Sequence, residues 1–226
     1  MAVFAGASSG CARTPQHIQV VVSVFPIYDL VRRIAGPDAE VTLLVPRGTA
    51  PRDWTPTAEA TNAVAHAKVA IWIGLGLDRW MEKLVVPKER VLQVGDRVPT
   101  LTNEAGAPQP DVWMDPQRAR LIVTAITEEM TRADGSHAKG FRTRAAELDA
   151  QLAALDHELE VETAPWKARP LRVVPQGLEY ALERYGLHPA PDATPDGSMD
   201  PLGAANTSNY EELVRSEIGG LKGFLR

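Results

Sequence analysis

The chain has 226 residues, 44% of them hydrophobic and 23% charged, enough to bury a sizeable core and too apolar for a largely disordered protein. A formal net charge of -5 and no run of Lys or Arg that could neutralise a phosphate backbone exclude a nucleic-acid partner. The single cysteine, Cys11, rules out an internal disulfide or a multi-thiol metal site, and no stretch after it approaches the roughly 20 apolar residues of a membrane span.

The apolar, small-residue segment Met1 to Gly10 leads into Ser8-Ser9-Gly10-Cys11, which resembles the end of a bacterial lipoprotein signal with Cys11 as the lipidated residue. A basic start and a branched apolar residue at position 8 are missing from that pattern. Ile18 to Val24 is a β-branched run that predicts a buried parallel strand. Ile27, Leu30, Val31 and Ile34 then repeat at helical spacing up to the stop at Gly36-Pro37. Glu40 to Val45 reads as a second strand, followed by a loop through Pro51-Arg52-Asp53-Trp54-Thr55-Pro56-Thr57 and a helix over Ala58 to Ala67. Lys68 to Ile73 predicts a third strand, Asp78 to Leu84 a short helix, and Arg90 to Val94 a fourth strand. Strands and helices alternating at this spacing specify a parallel sheet covered on both faces. Ligands of such sheets gather beyond the carboxyl ends of the strands, which is where the Arg52 loop falls.

Thr100 to Pro110 carries no regular pattern. In Gln109-Pro110-Asp111-Val112-Trp113-Met114-Asp115-Pro116, Asp115 reads as the cap and Pro116 as the first turn of a helix to about Ala133. After Asp134-Gly135-Ser136, a second helix over Ala138 to Thr163 stripes Leu148, Leu152, Leu155 and Leu159 on one face, a pattern read as core packing. Leu171 to Val174 resumes the strand pattern, with a helix from Leu178 to Tyr185 ending at Gly186. His188 to Asp200, with three prolines and a glycine, reads as loop. Ser208-Asn209-Tyr210-Glu211 reads as a capping box before a last helix striped by Val214, Ile218, Leu221 and Leu225.

The fold class expected is α/β: two strand-helix lobes with parallel sheets joined by a long helix, the second lobe incomplete. Residues 1–17 are a signal remnant or linker, 18–115 the first lobe, 116–165 the connecting helical region and 166–226 the shortened second lobe. Nothing favours catalysis. No phosphate loop, nucleophile elbow or zinc-hydrolase helix occurs, and Gly74-Leu75-Gly76 lacks the third glycine of a dinucleotide fingerprint.

The order of the Pro-x-Asp-Trp-x-Pro-Thr loop, the Val-Trp-x-Asp-Pro helix start, the long helix, Arg184-Tyr185-Gly186-Leu187 and Met199-Asp200-Pro201-Leu202-Gly203 resembles the zinc- and manganese-specific substrate-binding proteins of bacterial ABC importers. That resemblance implies an extracytoplasmic, monomeric binding protein, periplasmic or on the outer face of the membrane, held there by a lipid at Cys11 and delivering a metal to a membrane permease. It also implies three imidazole positions, which here are Arg52, Asp111 and Pro175. Guanidinium and proline have no lone pair to donate, so Asp111 is the one retained metal ligand and the site is expected to be degenerate. Arg52, Asp53, Asp111, Pro175, Gln176 and Glu179 are the candidate cleft residues. No cofactor is expected beyond the zinc or manganese that the resemblance alone implies. Further strand-helix units that the family carries between Leu187 and Met199 are absent.

Two further readings concern Arg52. It pairs with Asp111 across the cleft, its charge replacing the ion, or both side chains are solvated and never meet. An anion-binding cleft centred on Arg52 and a non-transporting interaction protein are the alternatives to metal import. His17, His66, His137, His157 and His188 show no paired spacing and read as surface positions, and Trp54 and Trp113 read as loop packing.

Overall fold

The computed structural model describes residues 17–84, 86–203 and 206–226, so the signal segment and Cys11 lie outside the described residues. Four strands, β1 (Ile18–Val22), β2 (Ala39–Leu43), β3 (Val69–Trp72) and β4 (Val91–Gln93), form a wholly parallel sheet in the order β2-β1-β3-β4. Two helices connect them, α1 (Phe25–Ala35) and α2 (Ala58–His66). The strands are nearly continuous apolar runs because each face of the sheet has its own cover. Val20, Val22, Ile71 and Ile73 point into the main core, while Val21, Ala70 and Trp72 join a second cluster beneath α2. This is the period-2 division of a strand buried on both sides.

Asp115 caps α3 (Pro116–Ala133) by accepting from the Gln117 N–H at 2.8 Å, with Pro116 in the first turn as expected. The connecting helix α4 (Ala138–Thr163) has the expected length and buries Phe141, Ala145, Leu148, Leu152, Leu155 and Leu159 on one stripe. At 1.5 Å per residue it runs about 39 Å, packed against α3, α1 and α6 (Tyr210–Gly220). The last core elements are β5 (Leu171–Pro175) and α5 (Glu179–Tyr185), which ends on Gly186 in the left-handed region at φ +63°.

Four expectations are corrected. The segment from His188 to Asp200 is not all loop, because Pro189–Asp196 forms β6, parallel to β5. Its prolines are tolerated for a geometric reason. The His188 carbonyl accepts from Leu171 N–H and the Asp196 carbonyl from Gln176 N–H, both at 2.9 Å, so the adjacent Pro189 and Pro195 face the outer edge, where no ladder donor is needed. The second sheet therefore has two strands rather than one, and on its other side Leu225 bridges Leu171. The capping box at the last helix is shifted by one residue: Asn209 is the cap, accepting from Glu212 N–H at 2.8 Å, while Glu212 reaches back to Ser208 N–H at 2.7 Å. The last helix also ends early. After Gly220 the chain tightens into a 3-10 turn over Leu221–Phe224, and Leu225 is extended, not part of the helical stripe. Likewise the helix predicted over Asp78 to Leu84 is a 3-10 turn, Arg79–Lys83.

Candidate functional site

Strand order reverses between β1 and β3, since β1 connects outward to β2 and β2 crosses back to β3. The crevice at this switch point is filled from within. Buried Asp78 accepts from Ser23 Oγ at 2.6 Å, Ile73 N–H at 2.8 Å and Gly74 N–H at 2.9 Å, although burial still raises its pKa. Gly74, Leu75 and Gly76 all have positive φ, and this left-handed turn is what lets the chain fold back onto the carboxylate.

The Arg52 loop is held by tryptophans. Trp80 Nε1–H donates to the Pro51 carbonyl at 2.9 Å, and Trp54 meets the Trp80 ring edge-on at 4.5 Å. Arg52 itself is exposed, with one guanidinium bond to the Gly76 carbonyl at 3.3 Å, and Asp53 beside it is exposed. Asp111 precedes a 3-10 turn, Val112–Met114, whose N–H from Met114 returns to the Asp111 carbonyl at 3.0 Å. The fully buried Trp113 anchors that turn by donating to the Pro201 carbonyl at 2.7 Å.

The second lobe brings Pro175 and Glu179 to the same region. Pro175 is buried at the end of β5, with Gln176 exposed beyond it. Gly177, at φ +82°, turns the chain where a Cβ would stand 2.6 Å from Pro201 Cγ. Glu179 opens α5; its Oε1 accepts from Gly177 N–H at 3.3 Å and its Oε2 is buried without a partner.

Electrostatics tie three of these residues together. Burial, then repulsion from Glu179, pushes the Asp111 carboxyl up to about 7, and attraction by Arg52 offsets part of the rise. Arg52 and Asp111 act on each other without an ion pair inside 4.0 Å. Among the described residues, no group of three or more His, Cys, Asp or Glu side chains is arranged to hold a metal ion as it stands. Of the candidate cleft residues, Arg52 and Pro175 offer no lone pair to a metal, and Asp111 and Glu179 are the carboxylates that interact with each other.

Sequence reasoning missed Tyr180. Its buried hydroxyl donates to the Gln109 carbonyl at 2.8 Å and accepts from Leu101 N–H at 3.0 Å, so α5 holds the loop that carries Asp111. Arg118 stacks over the same ring at 4.7 Å while pairing with Asp115 at 2.6 Å and Glu183 at 2.7 Å. Apart from the Arg118–Asp115 pair, these contacts join residues more than 60 positions apart, and no local signal marks them.

A family model described as zinc-uptake complex component A, periplasmic, matches residues 20–217. The chain belongs to this family. It is 26% identical over 215 residues to the manganese-binding lipoprotein MntA of Halalkalibacterium halodurans, covering 93% of this chain and 68% of that protein. It is 24% identical over 221 residues to the zinc-binding lipoprotein AdcA of Streptococcus pneumoniae, covering 87% of this chain and 44% of that one. The chain thus spans less than half of AdcA and about two thirds of MntA. Among solved structures, Zn(II)-bound AdcA from Streptococcus pneumoniae superimposes with a TM-score of 0.77 at 17% identity, covering 92% of this chain and 58% of that chain, a likeness of fold. The family's description is that of a periplasmic uptake component and the relatives named above are lipoproteins, in keeping with a periplasmic or extracellular place for this chain.

Proposed function

We propose that the protein is the substrate-binding component of a metal-ion ABC import system whose ancestral cation site is degenerate. Family membership supports the first half of this reading, as does the naming of relatives for bound manganese, zinc or iron. The second half rests on one observation: the positions where the resemblance places imidazoles carry Arg52, Asp111 and Pro175. Arg52 supplies a positive charge beside Asp111, where a bound cation would otherwise offset the carboxylates. An incoming divalent ion meets that charge as a repulsion. The anion-binding alternative gains no support, since the Arg52 guanidinium already faces the Asp111 carboxyl and the Gly76 carbonyl. The membrane permease is the partner this reading implies.

Zinc and manganese titrations of the untagged protein test the reading against Asp111→Asn. Equal metal uptake by the two proteins is expected. The triple variant Arg52→His, Asp111→His, Pro175→His should take up one additional zinc per chain. Tight one-to-one binding by the parent that Asp111→Asn abolishes would overturn the degenerate site.

A further inference from the structure

Two short basic stretches, far apart in the chain, meet on the side of β5 away from β6. Lys167, Arg169 and Arg172 lead into and open β5, and Lys222 and Arg226 belong to the segment that follows α6. The antiparallel bridge between Leu171 and Leu225 brings the two stretches together, with Arg226 N–H donating to the Pro170 carbonyl at 3.1 Å. Side chains tighten the pairing, since Arg169 Nε donates to the Arg226 main-chain oxygen at 2.7 Å and Arg172 to the Gly223 carbonyl at 2.6 Å. All five cations are exposed. Among the described residues, the one ion pair that any of them makes with a side-chain carboxylate joins Arg226 to Asp192 at 2.6 Å, and both partners are open to solvent, at 44% and 71%. Such a pair holds little energy in water and leaves the cations free to turn outward. Apolar side chains lie among the charges. Along β5, Leu171, Val173 and Pro175 are buried while Arg172 and Val174 are exposed, so one face of the strand carries both a cation and a branched hydrocarbon. The Arg172 guanidinium stands 5.8 Å from the centroid of the half-buried Phe224 ring.

We propose that this side of the second lobe is a docking surface for an anionic phospholipid membrane, with Lys167, Arg169, Arg172, Lys222 and Arg226 meeting headgroup phosphates and Val174 entering the interface between them. Basic side chains clustered four or more together draw a protein to anionic lipid, and each adds its own increment of attraction within a Debye length of the surface. The chain as a whole carries a net charge of -5, so an anionic bilayer is attractive to this side and not to the molecule at large, which also fixes the orientation of approach. Lysine and arginine stems lie along an apolar boundary while their heads stay at the phosphates, so cations set around an exposed valine match the depth at which headgroups give way to acyl chains. That mixture favours a bilayer over an acidic protein, which would be met by the charges alone. A periplasmic or extracellular place puts the chain beside such a surface. Neither the cleft residues nor Cys11 takes part.

The test is sedimentation of the full-length protein, carrying Cys11→Ser so that no acyl chain contributes, with vesicles of phosphatidylcholine alone and of phosphatidylcholine mixed with phosphatidylglycerol. Binding to the mixed vesicles only is expected, falling steeply as salt is raised. Arg172→Ala and Lys222→Ala should each weaken the partitioning by about fivefold. Lys139→Ala, in the first turn of α4, should match the parent, as should Arg172→Lys, which keeps the charge. Lys222 makes no ion pair among the described residues, so its variant removes a charge without removing a contact that holds the fold. Equal binding to the two kinds of vesicle, or binding to the mixed ones that neither alanine variant weakens, overturns the assignment. So does a lack of vesicle binding, and salt-sensitive retention on polyglutamate in its place would give the surface to an acidic polypeptide instead.

Discussion

At the scale of single residues, Asp111 is the group whose surroundings say most. A carboxyl raised from 3.8 to about 7 binds its proton more tightly in the folded chain than in the unfolded one. Between about pH 4 and pH 7 the native state therefore holds a proton that the unfolded state has lost, and stability falls as pH rises through that window. Below it both states are protonated and the group contributes no pH dependence. Asp111→Asn removes the penalty of the buried charge, although its amide is still a polar group out of water and recovers only part of it. The variant should be more stable than the parent at pH 8 by about 1 to 3 kcal/mol, given that a tenfold change in proton affinity is worth about 1.4 kcal/mol, and nearly equal to it at about pH 4.5. Urea unfolding at the two pH values measures the difference, and a variant less stable at pH 8 would contradict the assignment. Asp156 shows the opposite treatment of a buried carboxylate. Arg184 approaches it with two bonds at 2.9 and 2.6 Å, and Tyr185 and Gln117 each donate at 3.2 Å, which joins α3, α4 and α5. Asp156→Ala strands the Arg184 charge and should cost about 3 to 5 kcal/mol, read as a lowered denaturation midpoint.

At the scale of elements, legibility in the sequence follows how local the cause is. The boundaries of α3 and α4 are readable because a cap, a proline and an apolar stripe all lie within the helix itself. The parallel strands of the first sheet are readable from β-branched runs for the same reason. β6 is not, because a proline's effect on a strand depends on which edge it faces, and that is set by pairing with β5 rather than by neighbours in the chain. The candidate cleft residues are placed by the resemblance and by their position after strands, but the repulsion between Asp111 and Glu179 joins two lobes and leaves no mark in either segment. The shifted cap of α6 makes a sharp prediction. Asn209→Ala should destabilise the protein by about 1 kcal/mol, since it removes the acceptor for Glu212 N–H, while Ser208→Ala, whose backbone N–H carries the bond to Glu212, should stay within about 0.5 kcal/mol of the parent. Equal losses in a thermal melt would restore Ser208 as the cap.

At the scale of the whole molecule, a second sheet of two strands raises the question of what keeps it folded. The answer is in the continuity of the core: one cluster of buried side chains runs from Val22 and Ile71 of the first sheet through α1, α3 and α4 to Leu171, Leu178, Tyr185, Val214 and Leu221. Polar contacts close the same seam. Arg33 pairs with Glu211 at 2.7 Å and Tyr210 N–H donates to Asp29 at 3.1 Å, so α6 is fastened to the first lobe, and Trp113 donates to the Pro201 carbonyl ahead of it. A two-stranded sheet has too little surface to be stable by itself, whereas packed on helices shared with a four-stranded one it needs no further strands. The two lobes should therefore unfold in one transition. Leu178→Ala, which empties a fully buried position at the second lobe, should cost about 2 to 5 kcal/mol. Trp54 and Trp80, which sit on the far face of the first sheet, should register that loss as the same shift in urea midpoint that Trp166 registers near the second. Single-tryptophan versions of the protein separate the two reports, and an unmoved transition at Trp80 beside a lowered one at Trp166 would mean that the lobes fold independently.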